Sequence, residues 1–264
     1  MWTTNGHGTF CAQQPAERND MAVLSLPGFE AETPFDIRRP PLAIVAGGRP
    51  PAASWLKKFL HGKELWCADS GLVPCINAGF FPSRVIGDGD SSPGDILKLA
   101  QKKGALIEKY PPDKDYTDLQ LALFRAGEEG YGSVLVSGCW GGRFDHLWSV
   151  VHSAVWAHER GTRVLAFADH GEVLFLLHGG EEWRISVTRR KGAVLSLLPL
   201  ADDCRGVSIS GTRWSLENIP LLQAHPFSVS NRLLEKENPR ISVSEGILGV
   251  YFGWEKKRAF KLPA

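Results

Sequence analysis

Residues Gly132–Gly161 read GSVLVSGCWGGRFDHLWSVVHSAVWAHERG. Val134–Val136 is a short apolar run of strand character. Further on, Leu147, Val150, Val151, Ala154 and Val155 recur on one face of a helix that opens after Gly141–Gly142 and stops near Gly161. A strand that runs through a glycine-rich turn into a helix is the building unit of an α/β protein. Such a turn can aim backbone N–H groups at an anion, and Arg143 beside it can fork onto phosphate oxygens.

The same alternation extends in both directions. Leu42–Val45 precedes Trp55–Leu60, and Leu65–Ala68 stands before Val85–Ile86 and Ile96–Ala100. Ala105–Ile107 precedes Leu119–Ala126, and Val164–Phe167 follows the quoted segment. This predicts a mostly parallel sheet covered on both faces, with ligands bound outside the carboxyl ends of its strands. Thr117 and Gln120 have the spacing of a capping box at the start of the helix over Leu119–Ala126. Beyond about residue 170 the helical period disappears. GEVLFLLHGG, EEWRISV, AVLSLLPL, GVSISG, TRWSL, FSVSN, RISVSEG and ILGVYFGW are strand-like runs separated by turn residues, the pattern of an antiparallel β-sandwich. The expected organisation is therefore α/β plus all-β. Residues 1–40 form a polar, partly disordered surface extension; 41–169 a Rossmann-like α/β catalytic domain; 170–264 a β-sandwich domain.

A chain of 264 residues with 43% hydrophobic content has room for two domains with real cores. Its formal net charge of +1 argues against nucleic acid as a partner. Charged residues interrupt every apolar run before it reaches membrane-spanning length, and the first twenty residues lack the pattern of a secretory signal. The five cysteines are scattered singly, with no CxxC pair, as in a reducing cytoplasm. Cys139, inside the glycine-rich loop, is the one expected to be exposed.

Acidic segments fall at the other predicted strand ends. They are Ala68–Asp69–Ser70–Gly71, the run Gly87–Asp88–Gly89–Asp90–Ser91, and Asp113–Lys114–Asp115–Tyr116–Thr117–Asp118. Each alone reads as a polar turn or as helix N-terminal carboxylates favoured by the macrodipole. Together they supply hard oxygen ligands suited to Mg²⁺, which takes one or two carboxylates and completes its shell with water and phosphate. No GK[ST] follows the glycine loop and no GxGxxG opens a helix, so neither a Walker A loop nor a dinucleotide fold is indicated.

The motifs GDGDS, DKDYTD and GGRFDH, in that order and spacing, followed by GTRWSL and SVSN, resemble thiamine pyrophosphokinases over about residues 42–253. The resemblance implies an enzyme that transfers diphosphate from Mg–ATP to the hydroxyethyl oxygen of thiamine, releasing AMP. It implies that Asp88, Asp90 and Asp115 hold Mg²⁺, with Asp69 close by. Gly47, Gly48, Thr117, Asp118, Gly141, Gly142 and Arg143 would bind the nucleotide, Thr117 being equally an N-cap. Asp145 would contact the aminopyrimidine of thiamine or orient its hydroxyl, and Trp214, Ser230 and Asn231 would meet the same substrate. A homodimer is implied, with thiamine between the α/β domain of one subunit and the β domain of the other.

The chain departs from the family pattern in three places. ADGGA is here ADSGL, with Ser70 for a glycine; GLKW is GTRW, with Thr212 and Arg213; and the helix after GGRFDH offers only Ser149 or His152 where an asparagine is common. These changes leave the acceptor open between thiamine and a close analogue. Two other classes compete. One is another Mg²⁺-dependent phosphotransferase or a phosphatase, since the Asp88–Gly89–Asp90 run also resembles haloacid dehalogenase-type hydrolases, but Ser91–Ser92 follows it instead of the expected Thr or Val. A non-catalytic thiamine- or nucleotide-binding relative would have no evident reason to keep repelling aspartates together.

Overall fold

The computed structural model describes residues 21–35, 39–89, 92–111 and 113–254. It begins with a hairpin, β1 (Ala22–Leu26) and β2 (Phe29–Thr33), joined by Pro27–Gly28 with Gly28 at φ +92°. Leu24, Leu26, Phe29 and Ala31 are buried on its inner face, alternating with exposed neighbours as a half-buried strand requires.

Six strands then pair in parallel: β3 (Leu42–Val45), β4 (Leu65–Ala68), β5 (Arg84–Gly87), β6 (Leu106–Lys109), β7 (Ser133–Ser137) and β8 (Arg163–Ala168). Their order in the sheet is β6-β5-β4-β3-β7-β8. The chain thus steps outward from β3 to β6, then returns to the other side of β3. The gap between the ends of β3 and β7 is the point where open sheets of this kind bind ligands. One face carries α1 (Ala53–Leu60), α2 (Leu72–Asn77) and α3 (Gly94–Lys102); the other carries α4 (Asp118–Glu128) and α5 (Phe144–His158). Alternate residues of the strands serve the two layers: Ala43, Val45 and Cys67 pack with Leu56, Phe59 and Leu72. Leu42, Ile44 and Trp66 pack with Leu119, Ala122 and Ala154. Burial on both faces explains why β3, β4 and the core of β7 read as apolar runs, whereas the edge strand β6, LIEK, is largely exposed. The spacing did not predict α2, which is short and contains Pro74.

The β-rich part comprises β9 (Glu172–His178), β10 (Glu181–Val187), β11 (Ala193–Pro199), β12 (Cys204–Ser210), β13 (Leu216–Leu221), β14 (Asn231–Arg232), β15 (Arg240–Val243) and β16 (Ile247–Trp254). The antiparallel layers that the sequence suggested are present, but one of them is continuous with the parallel sheet. β9 pairs antiparallel with β8, and β16, β11 and β14 continue outward, so the parallel sheet becomes a ten-stranded mixed sheet. The opposing layer is an antiparallel sheet in the order β1-β2-β10-β15-β12-β13. The N-terminal segment therefore does not lie over the surface: residues 22–33 complete the second layer. Phe29 reaches across, with its ring 5.5 Å from Phe175 and 5.3 Å from Phe252. The expectation for residues 1–20 lies outside the described residues. Two predicted strands also shift. TRWSL is mostly a turn, and the strand runs from Leu216 through Pro220, tolerated because β13 is an edge strand. FSVSN contributes only Asn231 to a strand. Among the described residues no helix is long and apolar enough to cross a membrane.

At the start of β8, Arg163 forms a two-pronged ion pair with Glu181, and His178 packs against His158 with ring centroids 4.0 Å apart. Both ring nitrogens of His178 are buried without a hydrogen-bond partner. Burial, then the charges of Arg163 and His158, pull its pKa down to about 2. His158 is lowered too, mainly by burial, with Glu181 and Glu159 opposing.

Two outcomes follow from this packing. Phe29→Ala should cost about 3–5 kcal/mol in urea unfolding; a near-neutral change would return the hairpin to the surface. Because His178 binds a proton far more weakly when folded, its contribution is fully present above the unfolded pKa of about 6.5 and is lost as the pH falls below it. His178→Leu should therefore flatten the fall in Tm between about pH 7 and pH 5, whereas parallel acid slopes would exclude His178 as its source.

Candidate active site

The carboxyl ends of the parallel strands open on one cleft of about 720 Å³. Gly47 and Gly48, just past β3, form one wall. A Cβ at Gly48 would stand 2.7 Å from the carbonyl oxygen of Gly138, and one at Gly47 would stand 2.8 Å from Oδ2 of Asp69, so neither position accepts a side chain without movement. Gly141 and Gly142, past β7, line the facing wall at φ +80° and +77°, a region that side chains rarely adopt. The two loops are joined by backbone hydrogen bonds, Gly48 N–H to Gly138 O at 2.6 Å and Arg49 N–H to Trp140 O at 2.6 Å.

Asp69 opens the 3₁₀ turn Asp69–Gly71 at the end of β4 and sits at φ +55°, an unusual conformation for a residue with a side chain. Ser92 Oγ donates to its carbonyl at 3.4 Å. Ser70, which replaces the family's first glycine, is accommodated: its Oγ donates to Gly47 O at 3.3 Å. The second glycine is the indispensable one, since a Cβ on Gly71 would collide with the carbonyl of Val45.

Thr117 is the N-cap of α4, with both halves of the capping box in place: Gln120 N–H reaches Thr117 Oγ1 at 3.2 Å, and Thr117 N–H reaches Gln120 Oε1 at 2.9 Å. That fixes the approach of Asp115 and Asp118, both in the cleft wall. Burial holds the Asp118 carboxyl above the usual carboxylate range; Lys114 opposes this, while Asp69 and Asp88 push in the same direction as burial. Lys114 Nζ stands 3.1 Å from Asp118 Oδ1, close enough for an ion pair yet off hydrogen-bond geometry, so that buried oxygen keeps unused acceptor capacity. Asp69 and Asp88 are thus each within electrostatic range of Asp118, which has Lys114 beside it, although Asp88 is not among the residues lining the cleft. Asp90 lies outside the described residues. Among the described residues no three acidic, histidine or cysteine side chains close into a metal cage. Hard oxygen donors that repel one another, one with unused acceptor capacity, nonetheless fit an ion that requires only one or two carboxylates.

Arg143 and Asp145 stand exposed at the start of α5, joined by hydrogen bonds of 3.1 Å and 2.5 Å. Arg143 chiefly, and the His146 N–H in addition, hold the Asp145 carboxyl below its usual range. Such a carboxylate is a weak base and a ready hydrogen-bond acceptor. Cys139, expected to be exposed, is buried, and burial pushes its thiol well up from the ordinary value, so it is no nucleophile.

Trp214, Ser230 and Asn231 are not among the residues lining this cleft. They form a unit of their own beside β14. Asn231 is buried, and its amide is spent on neighbours: Oδ1 accepts from Trp214 N–H at 3.2 Å and Arg232 N–H at 2.8 Å. Its Nδ2 donates to Trp214 O at 2.7 Å and Thr212 Oγ1 at 3.2 Å. Ser230, at φ +62°, is tied through its N–H to Ser196 Oγ. The Trp214 ring remains 54% exposed, with the Arg213 guanidinium 4.9 Å from its centroid. Sequence reasoning also missed Arg49, which leans on Gly141 and is held by Asp169 at 2.6 Å and Glu172 at 2.5 Å. Tyr116, in the cleft wall, was missed because it occupies the variable position of DKDYTD.

Comparison with known proteins gives this geometry its context. The model for the thiamin pyrophosphokinase catalytic domain matches residues 56–166, and that for the thiamin pyrophosphokinase vitamin B1 binding domain matches residues 182–248. The chain is 26% identical over 206 residues to thiamine pyrophosphokinase of Bacillus subtilis (strain 168), covering 78% of this chain and 94% of the relative. It is 27% identical over 204 residues to a thiamine pyrophosphokinase of Oryza sativa subsp. japonica, covering 69% of this chain and 76% of the relative. The crystal structure of the Bacillus subtilis protein superposes with a TM-score of 0.70 at 22% identity, covering 81% of this chain and 99% of that one. The solved structure of thiamin pyrophosphokinase from Candida albicans gives 0.67 at 16% identity, covering 81% and 90%. Two models of a single family follow one another along the chain, together spanning well over half of it, and the chain is an enzyme of the thiamin pyrophosphokinase family.

Proposed function

We propose that this chain transfers diphosphate from Mg–ATP to thiamine in the cytoplasm, giving thiamine diphosphate and AMP. The observation that carries the reading is the convergence of two glycine loops with Asp69, Asp115 and Asp118 on one cleft, at the point where the parallel strand order reverses. The thiamine hydroxyethyl oxygen attacks the β-phosphorus, the bond from that phosphorus to the α-phosphate bridging oxygen breaks, and AMP departs with the bond's electrons. The hydroxyl proton passes to solvent. A reaction of this kind depends on positioning and charge neutralisation. Asp88, Asp90 and Asp115 would hold Mg²⁺, which when bound supplies charge neutralisation on the triphosphate. Asp69 and Asp118 deepen the negative field that draws a cation in. Gly47, Gly48, Gly141 and Gly142 let the phosphate chain approach the backbone, with Arg143 at their rim. Thr117 acts by fixing the start of α4, and Asp145 accepts a hydrogen bond from the acceptor substrate.

The thiamine face is assigned to Trp214 and Ser230 of a second copy of the chain, in a homodimer with the active site at the subunit interface. Support comes from the exposure of Trp214 outside its own chain's cleft, and a flat cation suits an aromatic face. Asn231 serves the same face by holding Trp214 in place through its amide.

Purified protein supplied with Mg²⁺, ATP and thiamine should release AMP and thiamine diphosphate in equal amounts. Thiamine-independent release of ADP or phosphate would overturn the reading. In the same assay Asp88→Asn should lower kcat by about 10²–10³ with the fold intact, and unchanged turnover would remove Asp88 from the site. Trp214→Ala should raise the KM for thiamine about tenfold and leave that for ATP alone. Asn231→Ala should raise it while also lowering Tm, since it empties a buried hydrogen-bond network.

A further inference from the structure

Resting on the nucleotide-binding part of that reading, we infer that Tyr116 is the platform on which the purine of the donor nucleotide stacks, with Trp156 as its brace. The phosphate-binding features of the cleft are its glycine loops and carboxylates. Its apolar lining includes Tyr116, Leu119 and Val150, and apart from the His146 imidazole, Tyr116 is the aromatic ring among its described lining residues.

The position of this ring is set from both sides. Its neighbour Thr117 is locked by the capping box, which fixes the backbone from which Tyr116 projects. Its ring meets that of Trp156, on α5, with centroids 5.5 Å apart and planes tilted by 47°. Trp156 is in turn held by Arg160, whose guanidinium lies 4.3 Å from the indole centroid. Tyr116 nevertheless remains 47% exposed. A braced ring with so much accessible surface in the wall of a polar cleft is suited to receive another flat ring, because every base presents a π-face and stacking needs no hydrogen-bond code. Chain order adds a second constraint: Tyr116 directly follows Asp115, assigned above to the metal-bound phosphates, so the base lies beside the phosphates and within one cleft.

The test is equilibrium binding to the full chain of two Mg²⁺-loaded probes, ATP and inorganic tripolyphosphate, which share phosphates and differ in the nucleoside. Wild-type protein should prefer ATP. Tyr116→Ala and Tyr116→Leu should weaken ATP about 10- to 100-fold and leave tripolyphosphate unchanged, while Tyr116→Phe keeps the wild-type preference. The leucine variant retains apolar volume without a π-face, and thermal unfolding checks that both variants are folded. Equal wild-type affinity for the two probes, wild-type binding of neither, or parallel loss of both in the variants would overturn the assignment. Nucleoside-dependent binding that relies on Tyr116, in a protein that forms no thiamine diphosphate, would uphold the platform while removing the proposed acceptor.

Discussion

The structure depends on a backbone seam. The pairing of β3 with β7 does not end with the strands: Ala46 N–H reaches Ser137 O at 2.8 Å, and Gly48 and Arg49 carry the bonding on to Gly138 and Trp140. The seam closes only because Gly48 has no side chain to hold the two segments apart. It fixes the separation of the two glycine loops, and Arg49 ties it to Asp169 and Glu172 at the junction of the parallel and antiparallel halves. Tyr251 adds a hydrogen bond to Glu172 at 2.8 Å, so the far half of the sheet helps hold the same joint.

Much of the α/β part was legible because its signals are local. Strands buried on both faces must be apolar throughout, helices on those strands must carry a 3.6-residue stripe, and a capping box is satisfied within four residues. The glycine loops and the segments bearing Asp69, Asp115 and Asp118 meet in one cleft for a topological reason: parallel strands place every βα loop at the same edge. What stayed hidden depended on distant partners. Leu24, Leu26, Phe29 and Ala31 alternate correctly around Pro27–Gly28, yet that short signal sits in polar sequence and β2 finds its partner in β10, far along the chain. TRWSL has strand composition, but Thr212 and Trp214 are committed to the Asn231 amide. Nothing in the spacing of Ser230 and Asn231 reveals that one side chain is exposed and the other consumed.

The site also shows why its carboxylates are tolerated. Asp118 bears a desolvation cost that Lys114 only partly offsets, and Asp69 and Asp88 add to it. The fold holds Asp118 and Asp69 in place through the helix cap at Thr117, the 3₁₀ turn at Asp69 and the close contact of Gly71 with Val45. An arrangement held against its own repulsion is one that a bound cation relieves.

The ten-stranded sheet has a mechanical implication. Because β8 and β9 are adjacent rungs of one hydrogen-bonded ladder, the sheet runs without a break from the cleft-bearing strands to β14, whose Asn231 holds Trp214. The glycine loops and the turn that carries Trp214 therefore share one continuous hydrogen-bonded frame.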